Sequence, residues 1–566
     1  MNMKNKFYFT SGIVILTLLF ISCDTTSNSS STTAQSVTCS VPFSRGVNFT
    51  QWFDSFSAQR INFDRFGEQD FKDIKNLGVD IIRLPINIPD MTSGPPDYII
   101  SPLLLKLLDR AVDLAEEHQI YIILDNHPRH DFYGVRPTDE RTREILVKIW
   151  SQMAQHFKDR GQYILYEILN EPKGLAANRW GRIQGEVIET IRRIDTKHTI
   201  VVSGGGSDSI EGLLSLPEYA DRSIIYTFHY YDPFFFTHQG AAWTSPSLAS
   251  LTGVPFPYDS KRMPSIPFAL RWTWVGSVFK DYSNEDALSS LVKPFDQVAA
   301  FSRKRRVPVF CGEFGVLMTY SPAEDRVRWY KFVRDALDQR KIAWTSWDYY
   351  GEFGLFNTPD GGDFDADLNV DLVRALGFTP PPQRTGPPEP LKSGFTIYDD
   401  YFSRGYRVTH WTPESTFDMY DTDAATGEYA IRWGNLSKYD MYQVRFKRNE
   451  DFSSLVQSGY CLEFKARTEK PLHFTVRFAN PENASSSPWR VQYAIDEKSL
   501  PPDGKWHTIR IPLSEMREAG AWVNATQKWF EPQGKFSWHQ VHDLTFSADS
   551  DCKDCTVWFD DIKIVR

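Results

Sequence analysis

The chain of 566 residues has little cysteine: six in all, at positions 23, 39, 311, 461, 552 and 555. So few cannot supply a disulfide framework, and with 41% hydrophobic residues a large core needs none. A basic excess is missing too. The formal net charge is -9, which excludes a general nucleic-acid binder, because no surplus of Lys and Arg is there to neutralise phosphates. No glycine-rich phosphate loop follows the first strand-like segment, and no repeat of solenoid period is found. The run Gly204–Gly206 comes after a middle strand and lacks a Walker pattern. Aromatic residues, in contrast, are plentiful at 14%, including 17 Trp and 25 Tyr. Core packing explains many of these rings, and a surplus suits surfaces that stack on the apolar face of a pyranose.

The length predicts at least two domains. The Pro-rich stretch TPPPQRTGPPEP (379–390) reads as a stiff extended linker and divides the chain into 40–378 and 391–566. The first part alternates near-continuous apolar runs with helix-period segments. Its candidate strands are 45–49, 79–85, 120–126, 163–170, 199–204, 223–231, 307–315 and 342–349. Amphipathic stretches such as 101–119 and 326–340 fall between them. This pattern predicts an α/β domain, a (β/α)8 TIM barrel with loop insertions, over an open doubly wound sheet. In the second part alternating runs take over, as in CLEFKAR (461–467), HFTVRFA (473–479) and TVWFDDIKIV (556–565), which predict an all-β sandwich.

At the amino terminus, Lys4 and Lys6 precede the apolar run 12–22, and Cys23 follows it. The run is short for a membrane span. The segment 1–23 resembles a bacterial lipoprotein signal with Cys23 as the lipidated residue, although Phe20 stands where Leu is usual. A plain signal peptide cleaved elsewhere is the alternative. Residues 24–39 then read as a Ser/Thr-rich tether. The expectation is export, as an outer-membrane or cell-surface lipoprotein, otherwise periplasmic or extracellular, with the membrane met only through the anchor and the protein monomeric.

In a barrel of this kind, chemistry sits where strands end. Those ends supply Asn48; Arg83; Asp125 and His127; Asn170 and Glu171; His229 and Tyr231; Glu313; and Trp347. Each alone has a plain reading. Arg83 pairs with any carboxylate, a lone His is more often a core residue, Trp347 packs, and Cys311 is a small core residue. As a set they place two Glu at the ends of two strands among hydrogen-bonding and aromatic groups, which glycoside hydrolysis requires.

Six segments carry a resemblance in order: IIRLP, LDNH, YEILNEP, FHYY, VFCGEFG and WTSWDYY. Together they resemble glycoside hydrolase family 5, cellulase-like retaining β-glycosidases. The resemblance implies Glu171 as general acid/base and Glu313 as nucleophile. It implies Asn170 on the sugar 2-hydroxyl, Arg83 and Tyr231 orienting Glu313, His127 and His229 contacting sugar or carboxylates, and Trp347 under the ring. Asn48 joins the substrate-binding set. An acid in a drier setting is expected to keep its proton near neutral pH. The substrate implied is β-glucan or a related plant polysaccharide, cleaved as by an endo-β-1,4-glucanase. Mannanase, xyloglucanase and β-1,3-glucan activities remain open, as does a non-catalytic glycan-binding lipoprotein. No cofactor or catalytic metal is expected.

The segment 232–276 is a candidate cleft wall, with Phe234, Phe235, Trp243, Trp272 and Trp274 as stacking rings or as loop core. Residues 391–566 resemble a jelly-roll carbohydrate-binding module. Asp399, Asp400, Asp560 and Asp561 are candidates for a structural calcium or a solvated acidic edge, with Asp399 and Asp561 the leading pair. Trp411, Trp433, Trp489 and Trp522 are binding rings or core. Cys552 and Cys555, with His539 and His542 upstream, offer four candidate zinc ligands, although such spacing arises by chance and the pair could be bonded.

Overall fold

The computed structural model describes residues 41–566 apart from 129–138, 285–286, 360, 387, 404–405, 412–415, 483–486 and 525. The signal, the tether, Cys23 and Cys39 lie outside the described residues, as does the side chain of Trp411.

Parallel strands close a barrel of eight: β1 Arg45–Asn48, β2 Ile81–Ile86, β3 Tyr121–Asn126, β4 Ile164–Glu167, β5 Thr199–Ser203, β6 Ile224–Tyr230, β7 Val309–Phe314 and β8 Ala343–Ser346. Each expected segment holds one of them. β4 is shorter than its apolar run: the ladder stops at Glu167, and the Asn170 N–H turns to the Asn126 carbonyl at 2.9 Å.

Strand alternation organises the interior. Ile81, Ile123, Leu165, Val201, Ile225, Phe310 and Ala343 form one apolar cluster, and Phe43 packs into it from before β1. Two residues further along each strand, on the same face, stand Arg83, Asp125, Glu167, Ser203, Thr227, Gly312 and Thr345. The barrel interior therefore turns from apolar to polar in one step towards the strand ends. At Gly46 a Cβ would lie 1.9 Å from the Ile81 carbonyl oxygen, so only glycine lets β1 approach β2 this closely.

Helices surround the barrel. Pro102–Glu117 buries Leu104, Leu107, Leu108, Ala111, Val112 and Ala115, the stripe its period predicts. Helix indoles also satisfy carbonyls at or just past strand ends: Trp150 donates to Ile168 (2.9 Å), Trp180 to Ser203 (2.8 Å) and Trp329 to Asp232 (2.9 Å).

The second module is a sandwich of two sheets with antiparallel pairings. Its core stacks Tyr442 on Phe546 (4.7 Å) and Phe546 against Phe559 (4.9 Å). Trp433 and Trp489 are core residues here, not binding rings, at 0% and 7% exposure. Cys552 and Cys555 form a disulfide, which removes them as zinc ligands; His539 instead faces Asp451 and His542 faces Asn449.

Of the acidic residues considered for calcium, Asp400, Asp560 and Asp561 have partners within the protein. Asp561 is held by Lys465 (3.1 Å) and Lys563 (3.5 Å). Asp560 accepts from the backbone N–H groups of Ala425, Thr426 and Asp561, and Asp400 from those of Glu428 and Tyr429. Among the described residues, neither Asp399 nor Asp561 belongs to a group of three closely spaced ligands.

The linker does not hold the modules apart. Gln383 accepts from the Leu368 N–H (3.1 Å), and Arg384 pairs with Asp363 (3.0 Å). The modules meet directly: Lys447 pairs with Asp70 at 3.1 Å, and the Arg110 guanidinium lies between the rings of Phe63 (4.4 Å) and Tyr401 (4.2 Å).

Candidate active site

The polar layer of the barrel converges on Arg83, which is fully buried on β2. Its Nε and Nη2 donate to both oxygens of Glu167 at 2.8 Å. Nη1 donates to Glu313 Oε1 at 2.7 Å, and Nη2 lies 3.0 Å from Asp125 Oδ2. One guanidinium thus serves carboxylates from three strands, a task for a planar fork. Asn48 is fully buried and level with Arg83 in the β1–β2 register. It accepts from Arg83 (3.1 Å) and donates to the Gly312 and Ser346 carbonyls (both 3.1 Å). Its polar atoms are therefore spent on the scaffold, and the expected contact with substrate is corrected to support of Arg83.

Above Arg83 lie the two glutamates. Tyr231 donates its hydroxyl to Glu313 Oε2 at 2.8 Å, so Glu313 is held from both sides. Glu171 follows β4 in a left-handed conformation (φ 44°), its side chain 23% exposed. His229 Nδ1 lies between the glutamates, 3.3 Å from Glu171 and 3.5 Å from Glu313. Oxygens of Glu171 and Glu313 and a nitrogen of His229 all lie within 4.8 Å of one another. Gly312 makes the room: a Cβ there would stand 2.8 Å from Thr227 Oγ1 and 3.2 Å from His229 Nε2.

A third group frames the mouth. Asn170 accepts from Arg83 (2.8 Å) and meets His127 at 3.2 Å; His127 in turn meets Asp125 at 2.8 Å and stacks on Trp347 with centroids 5.7 Å apart. Of the insertion rings, Phe235 is core, packed on Phe279 and Tyr282, whereas Trp243, Trp272 and Trp274 are exposed. Phe268, at 76% exposure, belongs with them and carried no sequence signal of its own.

The charges depart from expectation at Glu171. Burial raises its pKa, but the hydrogen bond and charge of His229, joined by Lys173 at 2.9 Å, outweigh burial and hold it low, at about 2. The free protein therefore carries an ionised Glu171, not the protonated acid expected of a dry pocket. Burial lowers His127, yet the adjacent Asp125 raises it on balance. Burial raises Glu167 in spite of Arg83. Ligand atoms of Glu167, Asp208 and His229 also cluster within 4.8 Å, but both Glu167 oxygens already accept from a guanidinium cation.

Sequence reasoning gathered Arg83, Asn170, Glu171, His127, His229, Tyr231, Glu313 and Trp347, and the fold brings them together. It missed Glu167, Lys173 and Asp208. Glu167 had a signal, a carboxylate inside an apolar strand; Asp208 had the glycine run before it.

A parallel barrel with two carboxylates this close at its mouth defines a site of the glycosidase class. The chain belongs to glycosyl hydrolase family 5, the cellulase family, whose profile matches residues 44–352, and residues 395–566 match carbohydrate binding domain 30. It is similar to Endoglucanase 3 of Fibrobacter succinogenes, with 28% identity over 59% of this chain and 52% of that protein. To Endoglucanase C of Acetivibrio thermocellus it is 26% identical, over 56% of this chain and 94% of that one. The chain thus spans about half the length of the first relative and nearly all of the second. A solved structure of Thermotoga maritima Cel5A in complex with cellobiose superposes with a TM-score of 0.50 at 25% identity, over 59% of this chain and 97% of that one.

Proposed function

We propose that the protein is a retaining endo-β-1,4-glucanase that cleaves β-glucan by double displacement. The observation that carries this is the approach of Glu171 and Glu313 oxygens within 4.8 Å. Retaining glycosidases hold their carboxyl groups about 5–5.5 Å apart, whereas inverting enzymes leave about 6.5–9.5 Å for a water. Glu313, clamped by Arg83 and Tyr231, attacks the anomeric carbon. Glu171, at the open side, protonates the leaving oxygen and then activates water. Substrate across the mouth strips water from Glu171 and raises its carboxyl towards the protonated form. The named endoglucanase relatives and the exposed rings of the 232–276 insertion support a polymeric substrate. Reducing-sugar release from carboxymethyl-cellulose, mixed-linkage β-glucan, xyloglucan, glucomannan and β-1,3-glucan tests the reading. Preference for carboxymethyl-cellulose or mixed-linkage glucan is expected; activity on glucomannan or β-1,3-glucan alone would overturn the assigned linkage.

The second module is the glycan-holding part in this proposal. Trp522 and Trp529 are directly paired across the hairpin strands Arg517–Val523 and Lys528–Phe530, and each is 41% exposed. Their side chains share a sheet face and form a shelf for sugar rings. In a Glu313→Ala background that cannot consume the ligand, Trp522→Ala or Trp529→Ala is expected to weaken cellulose retention about tenfold. Unchanged binding isotherms would remove the shelf. Export and lipid anchoring at Cys23 complete the proposal, supported by the amino-terminal pattern alone.

A further inference from the structure

After β5 the chain makes an unusual turn. Gly206 (φ 70°), Ser207 (60°) and Asp208 (53°) are successive left-handed residues, two of them not glycine. Such conformations cost free energy, on the order of 1 kcal/mol each for non-glycine residues. The turn carries Asp208, fully buried, against the backbone of Glu171 and the ring of His229. Asp208 Oδ2 accepts from the backbone N–H of Glu171 at 2.9 Å and lies 3.6 Å from His229 Nε2. Among the described residues its Oδ1 is buried without a hydrogen-bond partner, and so is His229 Nε2. Nothing in the double displacement above uses this residue, yet the fold bears both the strain and the desolvation of keeping it there.

We propose that Asp208 is a positioning residue for the acid/base: it seats Glu171 through the backbone amide and attracts the Nε2–H of His229, so that Nδ1 faces Glu171. This rests on the retaining-glycosidase reading. An imidazolium at His229 can then pass its Nδ1 proton to Glu171 Oε1. The N–H bond breaks, the O–H bond forms, and the imidazole is left neutral with Nε2–H directed at Asp208. Glu171 delivers that proton to the leaving oxygen, and the attacking water of the second step returns one.

The surrounding charges agree. His229 is faced by Glu313, Asp208 and Glu171, with Arg83 opposed; burial lowers its pKa, but the carboxylates outweigh burial and lift it to about 9. Asp208 is faced by His229, Glu167 and Glu171; burial first, then the two glutamates, push it up to about 8 against the pull of His229. Glu171 is faced by His229 and Lys173. The two buried groups face one another across 3.6 Å, and the charge of each bears on the titration of the other.

The test is Asp208→Asn in the full chain. Asn still accepts from the Glu171 N–H, but its amide donates towards His229 Nε2 and favours the opposite tautomer. Nitrogen-15 NMR of the imidazoles should show His229 titrating at least about one unit lower than in the parent. Hydrolysis of a cello-oligosaccharide, whose leaving group needs a proton, should fall about 10- to 100-fold in kcat/KM. An aryl cellobioside with a dinitrophenolate leaving group should change less than about threefold, since it needs no acid. Equal losses on both substrates, or an unmoved His229 titration, would overturn the proposal. If the parent cleaves neither substrate, the glycosidase reading fails, and the titration still decides whether Asp208 governs His229. If the Asn variant does not fold, the parent decides: neutral His229 carrying its proton on Nδ1 would overturn the proposal, and Nε2–H would sustain it.

Discussion

Glu313→Ala is expected to abolish turnover on every polysaccharide the parent cleaves, by a factor on the order of 10⁴–10⁶, the scale of removing a covalent nucleophile. The side chain is 6% exposed and bound on both oxygens, by Arg83 at 2.7 Å and Tyr231 at 2.8 Å. Among the described residues, the other buried carboxylates of this layer are already engaged. Glu167 is locked bidentate on Arg83, and Asp208 is fully buried against the Glu171 backbone. Initial rates on the preferred glucan, with circular dichroism to establish that the variant is folded, give the answer. A folded variant retaining more than about 1% of parent activity would remove Glu313 from the role of nucleophile.

Arg83→Met is the second large effect, and it reaches stability as well as rate. The substitution leaves Asp125, Glu167 and Glu313 facing one another without their shared cation. Removing one partner of a buried ion pair costs about 3–5 kcal/mol. For a domain of this size that corresponds to a melting temperature lower by roughly 4–7 °C. The variant's pH dependence has a definite sign. Without Arg83 the buried carboxyls have folded-state pKa values above their unfolded ones; burial already raises Glu167 with the cation in place. The folded variant then binds more protons than the unfolded chain, so its stability falls as pH rises from the ordinary carboxylate range towards neutrality. Melting curves at pH 5 and pH 8 should therefore diverge more from the parent at pH 8. Arg83→Lys should recover little, because an ammonium cannot serve Glu167 and Glu313 in two directions at once. A variant as stable as the parent at pH 8 would show that the carboxylates are balanced by something other than Arg83.

What could be read in the sequence follows from the range of the interactions. The barrel was legible because each strand announces itself locally as an apolar run bounded by helix-period segments. Glu171 and Glu313 were legible because each closes such a run within a short motif. Glu167 was harder to place: four residues before Glu171 in the same run, it faces inward only because β4 has the register it has, and register is a tertiary fact. Asp208 lies 37 positions from Glu171, and its part depends on three left-handed residues that no apolar pattern encodes. The Glu171 pKa escaped for a related reason. The dryness of a pocket can be guessed from a motif, but the approach of His229 and Lys173 depends on where β6 and the β4 loop end in space. The rings of the second module divided likewise. Trp433 and Trp522 both sit in strands of the second module, and only the sandwich decides which faces inward.

The seam between the modules changes what a trailing domain does. On a loose tether, capture by one domain helps the other through proximity, and the benefit is set by the length of the tether. Here the Arg110 guanidinium between Phe63 and Tyr401, the Lys447–Asp70 pair and the tacked-down linker fix an orientation instead. The search for a mutual arrangement has been completed by folding, before any polymer arrives. Angle replaces length as the governing variable: under the proposed function, a polysaccharide strand held on one module would meet the other along a set heading, much as a fence presents timber to a saw.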